Sequence, residues 1–159
     1  MMNVRFITLG TLKESYLREA AAEYEKRLGA FCRFELIQLK EERLYDDPSP
    51  NEIKVALEKE SEKILAQIPP RAYCVAMCVE GKQLSSEELA ARIEAVGNET
   101  SDICFIIGSS FGLSDSVKQR ADMRLSVSKL TFPHQLMRVV LLEAVYRAFN
   151  ISKGTKYHK

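Results

Sequence analysis

The side chains best suited to chemistry lie near the C-terminal end of this sequence, which contains both of its histidines, His134 and His158. His134 follows a proline at a predicted helix start, where a structural imidazole is the favoured interpretation. His158 lies in a basic tail, Lys156–Lys159, beside Tyr157, and a tail residue cannot belong to the core. We interpret this tail as an element that becomes ordered on RNA and supplies polar and cationic groups to it; the alternative is an unstructured end.

A second candidate is the glycine loop Gly108–Gly112, which follows an apolar run and precedes a predicted helix. Glycines at such a junction let the backbone approach a ligand closely. The spacing matches neither the dinucleotide fingerprint nor a phosphate-binding loop, so a plain turn stays an alternative. No Ser–His–Asp arrangement or paired-carboxylate spacing stands out. This absence disfavours hydrolases. It leaves enzymes that transfer a group mainly by positioning the reactants as the natural functional class.

The four cysteines do not form a metal-binding pattern. Close Cys or His pairs on loops are typical of zinc sites, whereas these four lie in separate apolar segments: Cys32, Cys74, Cys78 and Cys104. We expect reduced thiols packed as small hydrophobic side chains, and no metal.

The length and the charge distribution of the chain further limit its possible domain organisation, location and partners. With 159 residues we predict one domain, residues 1–159. The start, MMNVRFITLG, is typical of a strand and not of a signal peptide, and no run is apolar enough to span a membrane, so we expect a cytoplasmic protein. The net charge is +1, yet residues 129–159 contain six Lys or Arg and one Glu, a net +5, which leaves −4 for residues 1–128. This asymmetry indicates a nucleic-acid or phosphate partner, or simply a solvated basic surface.

Alternating strand and helix patterns must position these candidates. Strands are predicted at Val4–Gly10, Cys32–Leu39, Tyr73–Val79, Asp102–Ile107 and Arg124–Val127. Helices are predicted at Lys13–Leu28, Ser49–Ile68, Ser85–Val96, Ser114–Ala121 and from Thr131 or Pro133 to Phe149. The alternation predicts an α/β fold with a mainly parallel sheet flanked by helices. Ligands of such sheets bind at the carboxyl ends of strands. We therefore expect three loops to meet at one edge and to suit a nucleotide-like cofactor: Glu80–Lys82, Gly108–Gly112 and Ser128–Thr131.

The last predicted helix is apolar nearly all round. Over Gln135–Phe149 its only charged residues are Arg138, Glu143 and Arg147. A helix on one sheet needs only an apolar stripe, so either other elements of the chain or a second subunit must cover this one. We favour a dimer with the ligand site at its interface.

The run LSVSKLTFPHQLMRVVLLEAVYRAF (residues 125–149), together with the terminal Tyr157-His158-Lys159, resembles the small SPOUT-class ribosomal RNA large subunit methyltransferase H family. The resemblance extends over the whole chain. It implies an α/β fold whose C-terminal part is tied in a deep trefoil knot, a homodimer, and S-adenosylmethionine as cofactor. It also implies methylation of N3 of a pseudouridine in 23S rRNA on the assembled ribosome. One subunit would bind the cofactor, and the tail of the other would reach over it.

The resemblance assigns roles to individual residues. The implied cofactor-binding residues are Met77, Gly108, Val127, Ser128, Lys129, Leu130, Thr131 and Phe132. As our own hypothesis, His158, Tyr157 and Arg147 are substrate-facing catalytic residues: His158 assists deprotonation or holds the base, Tyr157 and Lys159 contact RNA, and Arg147 and Arg138 steer phosphate or neutralise a developing anion. Ser109 stands where the family usually has a second glycine, which could alter the loop. Two alternatives stay open: a SPOUT methyltransferase acting on another RNA such as tRNA, and a non-catalytic dimer that binds a nucleotide-like ligand.

Overall fold

A sheet of five parallel strands forms the centre of the computed structural model, which describes all 159 residues. The strands are β1 (Asn3–Leu9), β2 (Arg33–Leu39), β3 (Tyr73–Gln83), β4 (Asp102–Ile107) and β5 (Met123–Ser126). Their order across the sheet is β2-β1-β4-β3-β5, and every neighbouring pair is parallel. The predicted α/β class is confirmed. Because β4, β3 and β5 are neighbours, their carboxyl ends meet at one edge.

Five helices cover the two faces of the sheet: α1 (Ser15–Leu28), α2 (Pro50–Ala66), α3 (Ser86–Gly97), α4 (Asp115–Arg120) and α5 (His134–Lys153). Side chains alternate between the faces of a strand. Val4 and Phe6 therefore pack with α1, α3 and α5, whereas Ile7 and Leu9 pack with α2 and α4. The result is a three-layer arrangement with a buried sheet.

The local signals in the sequence account for most helix boundaries. Ser49 and Ser85 each cap a helix in a complete capping box with Glu52 and Glu88, which satisfies free amides at the helix start. The predicted end of α5 at Phe149 is too early. The helix continues to Lys153 and ends at Gly154, whose φ of 70° provides a left-handed cap.

The structure explains part of the apolar girdle of α5 without a second subunit. Leu141, Leu142, Val145 and Ala148 are buried in the core that α5 shares with α1 and α3. Since elements of the same chain cover this face, the girdle alone does not require a dimer. The start of the helix is less covered, and Leu136 is exposed.

The trefoil knot and the single domain stay predictions. No helix of the structure combines the length and the apolar character that a membrane span requires.

Candidate functional site

A cavity of about 730 Å³ opens at the sheet edge where β3, β4 and β5 end. This volume is typical of small-molecule sites. Its lining combines apolar side chains with loop backbone. It includes Met77, Glu80, Gly108–Leu113, Lys118, Leu125–Ser128, Leu130–His134 and Met137. All three loops predicted to meet at this edge contribute, and so do seven of the eight implied cofactor residues. Lys129 is exposed and does not line the cavity.

The loop from Val127 to Phe132 borders this cavity with every residue except Lys129. Two side-chain hydrogen bonds set its shape: Ser126 Oγ donates to the Ser128 carbonyl at 2.9 Å, and the Leu130 amide donates to Ser128 Oγ at 2.9 Å. No residue from Val127 to Phe132 takes part in a backbone–backbone hydrogen bond. Backbone amides and carbonyls in a protein are nearly always paired. Apart from the Ser128 carbonyl and the Leu130 amide, the backbone donors and acceptors of this loop have no partner within the protein and are available to a polar ligand, such as the edge of a nucleobase.

The glycine loop forms a closed turn on the opposite wall of the site. The Gly112 amide donates to the Ser109 carbonyl at 2.9 Å, and Gly112 has a φ of 90°. A Cβ on Gly108 would lie only 2.4 Å from the Gly112 carbonyl oxygen. Gly108 is therefore required for the turn to close, and the backbone lies within reach of a ligand.

Ser109 links this turn to a neighbouring helix. Its hydroxyl donates to Glu60 Oε1 of α2 at 3.1 Å. The serine that stands in place of a glycine therefore ties the turn to α2.

A bulge in β3 forms another part of the wall. Leu125 of β5 is opposite both Met77 and Lys82, so residues 78–81 leave the ladder between them. A Cβ on Gly81 would lie 2.7 Å from the Leu125 carbonyl carbon, which shows why a glycine closes the bulge. Glu80, within the bulge, pairs with Lys118 of α4 at 2.7 Å. The strand-end rule indicated Glu80; nothing near Lys118 in the sequence indicated it.

His134 lies at the cavity edge at the start of α5, with Nε2 3.5 Å from Glu41 Oε1. It therefore has a structural partner and also faces the site.

The tail residues gather into a second group, which we call the tail cluster: Arg147, Tyr157, His158 and Glu87. Arg147 Nη1 lies 3.1 Å from His158 Nδ1, and Glu87 Oε1 lies 2.6 Å from His158 Nε2. Because a guanidinium can only donate, Nδ1 accepts and Nε2 carries the proton that is donated to Glu87. Both ring nitrogens are therefore engaged. To accept a substrate proton, His158 must first leave one partner.

The other contacts of Arg147 explain its orientation. Its guanidinium pairs with Glu143, one helical turn earlier, at 2.6 Å, and lies 4.8 Å from the centre of the Tyr157 ring. The hydrogen bond to Glu143 raises the pKa of Arg147, while burial raises the pKa of Tyr157. Near neutral pH the cluster thus holds a charged guanidinium against a neutral phenol.

The tail cluster is separate from the cavity of the same chain. Neither Arg147 nor Tyr157 nor His158 is among the residues that line the cavity. The structure therefore brings together the implied cofactor residues, and separately the proposed catalytic residues. The two groups do not meet within one chain.

A phosphate-steering role for Arg138 is wrong. Its side chain is 1% exposed, and its guanidinium donates to Gln38 Oε1 at 2.8 Å and to the Gly10 carbonyl at 3.1 Å. It is a core residue of α5 and faces no solvent.

No group of three or more His, Cys, Asp and Glu side chains is placed to hold a metal ion. Three of the four cysteines are buried, and burial raises the pKa of Cys32 and of Cys104 to about 11. These thiols are protonated and packed in the core, as expected from the sequence.

Comparison with known proteins identifies the family of this chain. A family model described as a predicted SPOUT methyltransferase matches residues 2–158. A Streptococcus thermophilus protein named ribosomal RNA large subunit methyltransferase H is 52% identical over 159 residues, covering 99% of this chain and 100% of its own. The protein of the same name from Bacillus pumilus is 49% identical with the same coverage. The solved structure of a probable methylase family protein from Haemophilus influenzae superposes with a TM-score of 0.56 at 12% identity, covering 99% of this chain and 71% of that one. At this identity the likeness concerns the fold alone.

Proposed function

The chain belongs to the SPOUT methyltransferase family, and from this premise we propose that it methylates N3 of a pseudouridine in 23S rRNA of the assembled ribosome, with S-adenosylmethionine as the methyl donor. The observation that carries the proposal is a cavity at the strand ends bordered by the Val127–Phe132 loop, most of whose backbone amides and carbonyls have no protein partner. The full-length relatives near 50% identity, both named as large-subunit rRNA methyltransferases, support the substrate class.

The lining of the cavity fits S-adenosylmethionine. The amides and carbonyls of residues 127–132 that have no protein partner suit the edge of an adenine. Met77, Leu130 and Phe132 offer apolar walls, and the turn at Gly108 brings backbone close to the ribose side. When bound, the cofactor supplies a methyl group on a positively charged sulfur.

Because the donor is already activated, the protein's own residues have two tasks: to orient the base and to take its N3 proton. We assign proton acceptance, or a hold on the base, to His158. Tyr157 and Lys159 contact the RNA. Arg147 supplies positive charge beside any negative charge that develops on the base, even though Glu143 partly neutralises it in this conformation.

A homodimer brings the two groups together. The tail does not reach the cavity of its own chain, so the tail of a partner subunit is the element that completes the site. The cavity rim supports this arrangement, because large apolar side chains are exposed there: Leu130 at 73%, Val79 at 61% and Phe111 at 46%. Exposed apolar patches of this kind mark interfaces.

The ribosome is the proposed partner, which places the protein in the cytoplasm. The net +5 of residues 129–159 would attract a phosphate-rich surface. The remainder of the chain carries −4, so the attraction is confined to the C-terminal part.

Transfer of labelled methyl groups tests this proposal. The substrates are assembled ribosomes from cells that lack this gene, naked 23S rRNA and bulk tRNA. Label on ribosomes, mapped to one pseudouridine, is the expected result. Label on tRNA alone would overturn the substrate and keep the cofactor. Binding of S-adenosylmethionine without transfer to any RNA would instead favour a non-catalytic ligand-binding dimer.

A further inference from the structure

Glu60 of α2 is a buried carboxylate without a cationic partner. It is 4% exposed. Burial raises its pKa, and the hydrogen bonds from the Glu42 amide and the Ser109 hydroxyl offset this rise only in part. A buried charge that is not paired with an opposite charge destabilises a protein. Buried titratable groups with a shifted pKa are common at functional sites. The contacts of Glu60 are therefore candidates for a functional role.

One oxygen of Glu60 holds the glycine turn. Oε1 accepts the Ser109 hydroxyl at 3.1 Å. This is the one side-chain hydrogen bond between residues 108–112 and the rest of the protein; the other hydrogen bond of the turn, from the Gly112 amide to the Ser109 carbonyl, is internal. The position of the turn relative to α2 therefore depends on Glu60.

The other oxygen holds the loop that follows β2. Oε2 accepts the Glu42 amide at 2.9 Å. Lys63, one turn further along α2, reinforces this contact through Glu42 Oε1 at 2.8 Å. In the same loop, Glu41 faces His134 at the cavity edge. Glu60 thus connects the glycine turn, which lines the cavity, with the loop after β2, which contacts His134 at the cavity edge.

We propose that Glu60 is a positioning residue for the methyl donor: through Ser109 it fixes the Gly108–Gly112 turn in the conformation that binds this ligand. The inference rests on the proposed function, because it assumes that S-adenosylmethionine occupies the cavity. Glu60 touches the turn and not the cavity centre. Its loss should therefore weaken donor binding while leaving the transfer step unchanged.

The test compares Glu60→Gln, Ser109→Ala and the double variant with Glu58→Gln, an exposed control on the same helix. Glutamine has a single acceptor oxygen, which the Glu42 amide needs because that amide can only donate; the Ser109 hydroxyl must then accept from the neutral glutamine NH2 and loses its charged acceptor. We expect each single variant to raise the dissociation constant of S-adenosylhomocysteine, measured by calorimetry, by about tenfold. KM for S-adenosylmethionine should rise with it, while kcat on ribosomes stays the same.

The double variant separates positioning from general damage. Because Glu60→Gln weakens the hydrogen bond that Ser109→Ala removes, the double variant should bind no more weakly than Ser109→Ala alone. If each substitution instead raised the dissociation constant independently, so that the two factors multiplied in the double variant, the link between Glu60 and Ser109 would be overturned. Equal binding by wild type, Glu60→Gln and Ser109→Ala would overturn the inference while the proposed function stands. Failure of the wild type to bind the ligand would overturn both.

Amide hydrogen exchange of the unliganded protein gives a readout that does not depend on the ligand. Exchange at the Gly112 amide should be faster in Ser109→Ala than in wild type, because the turn has lost its tether. If Glu60→Gln does not fold, Ser109→Ala alone decides, since its hydroxyl lies in a surface turn. Unchanged exchange and unchanged binding in that variant would contradict the proposal.

Discussion

The cavity and the tail cluster differ in the kind of chemical group that forms them. The cavity is walled by loop backbone together with apolar side chains: the loop of residues 127–132, most of whose amides and carbonyls have no protein partner, the closed turn at Gly108 and the bulge that Gly81 closes. The tail cluster is made of side chains at the surface, where His158 lies between Arg147 and an exposed Glu87. Backbone walls are preformed, whereas exposed ion pairs are weak and can exchange partners.

This difference assigns different work to the two regions. A preformed wall suits a ligand that is bound in the same way in every cycle, such as a cofactor. A cluster of exchangeable pairs suits groups that must leave their resting partners when a large substrate arrives. Under the proposed function, the cavity determines donor affinity and the tail determines transfer. The predictions below test that division.

Removal of Tyr157–Lys159 should have the largest effect. The deletion takes away the proposed proton acceptor and the RNA contacts, and general acid–base assistance is typically worth about 100-fold or more. We expect methyl transfer to ribosomes to fall at least to that extent. Binding of S-adenosylhomocysteine, measured in the same preparation, should stay within about twofold of wild type. Loss of binding and transfer together would contradict the division of work.

Gly108→Ala should have the converse effect. The new Cβ would lie 2.4 Å from the Gly112 carbonyl oxygen and 2.9 Å from a Leu113 methyl carbon, so the turn must open. Overpacking of this kind costs about 1–3 kcal/mol, which predicts cofactor binding weaker by about 5- to 150-fold. Gly97→Ala is the control, because its Cβ would meet nothing closer than Met2 Sδ at 3.9 Å. Equal affinities in the two variants would show that the turn does not form the binding wall.

The sequence predicted the cavity better than the tail cluster, and the reason is physical. Strand ends and glycines are local signals, so the three loops at the sheet edge followed from alternation alone. The contacts from Ser109 to Glu60 and from His158 to Glu87 join residues 49 and 71 positions apart. Neither acidic residue differs from its charged neighbours in the sequence.

One misjudged feature and one that the sequence left open have the same origin. Arg138 resembles any charge on an apolar helix, and only its contact with Gln38, 100 positions away, shows that it belongs to the core. The coverage of α5 by α1 and α3 is likewise a property of packing. Periodicity shows that a helix needs covering, and it does not show which element provides the cover.

Glu87→Gln should have a modest effect that is confined to transfer. Glutamine keeps an acceptor for His158 but removes the charge, and exposed pairs contribute little. We expect the transfer rate to change by about two- to fivefold, in either direction according to whether the pair positions His158 or restrains it. Cofactor affinity should not change. Glu94→Gln, an exposed change on the same helix, is the control; a change of cofactor affinity in Glu87→Gln would contradict the separation of the two regions.

The smallest effect should be on the pH dependence of stability, and its sign should differ between the regions. Burial raises the pKa of Glu60, so its contribution is fully present below the pKa of the unfolded chain and is lost as pH rises through the folded value. The hydrogen bond with His158 lowers the pKa of Glu87, so its contribution is present at neutral pH and is lost as pH falls.

Urea unfolding from about pH 4 to pH 7.5 measures both effects. Relative to wild type, Glu60→Gln should become more stable as pH rises, because it removes an ionisation that the fold opposes. Relative to wild type, Glu87→Gln should become less stable over the same range, because it removes an ionisation that the fold favours. Opposite slopes of the two stability differences against pH would show that ionised Glu60 destabilises the fold whereas ionised Glu87 stabilises it. A destabilising carboxylate is expected where the group serves to hold the turn of a binding site. Slopes of the same sign would mean that Glu60 is an ordinary stabilising residue.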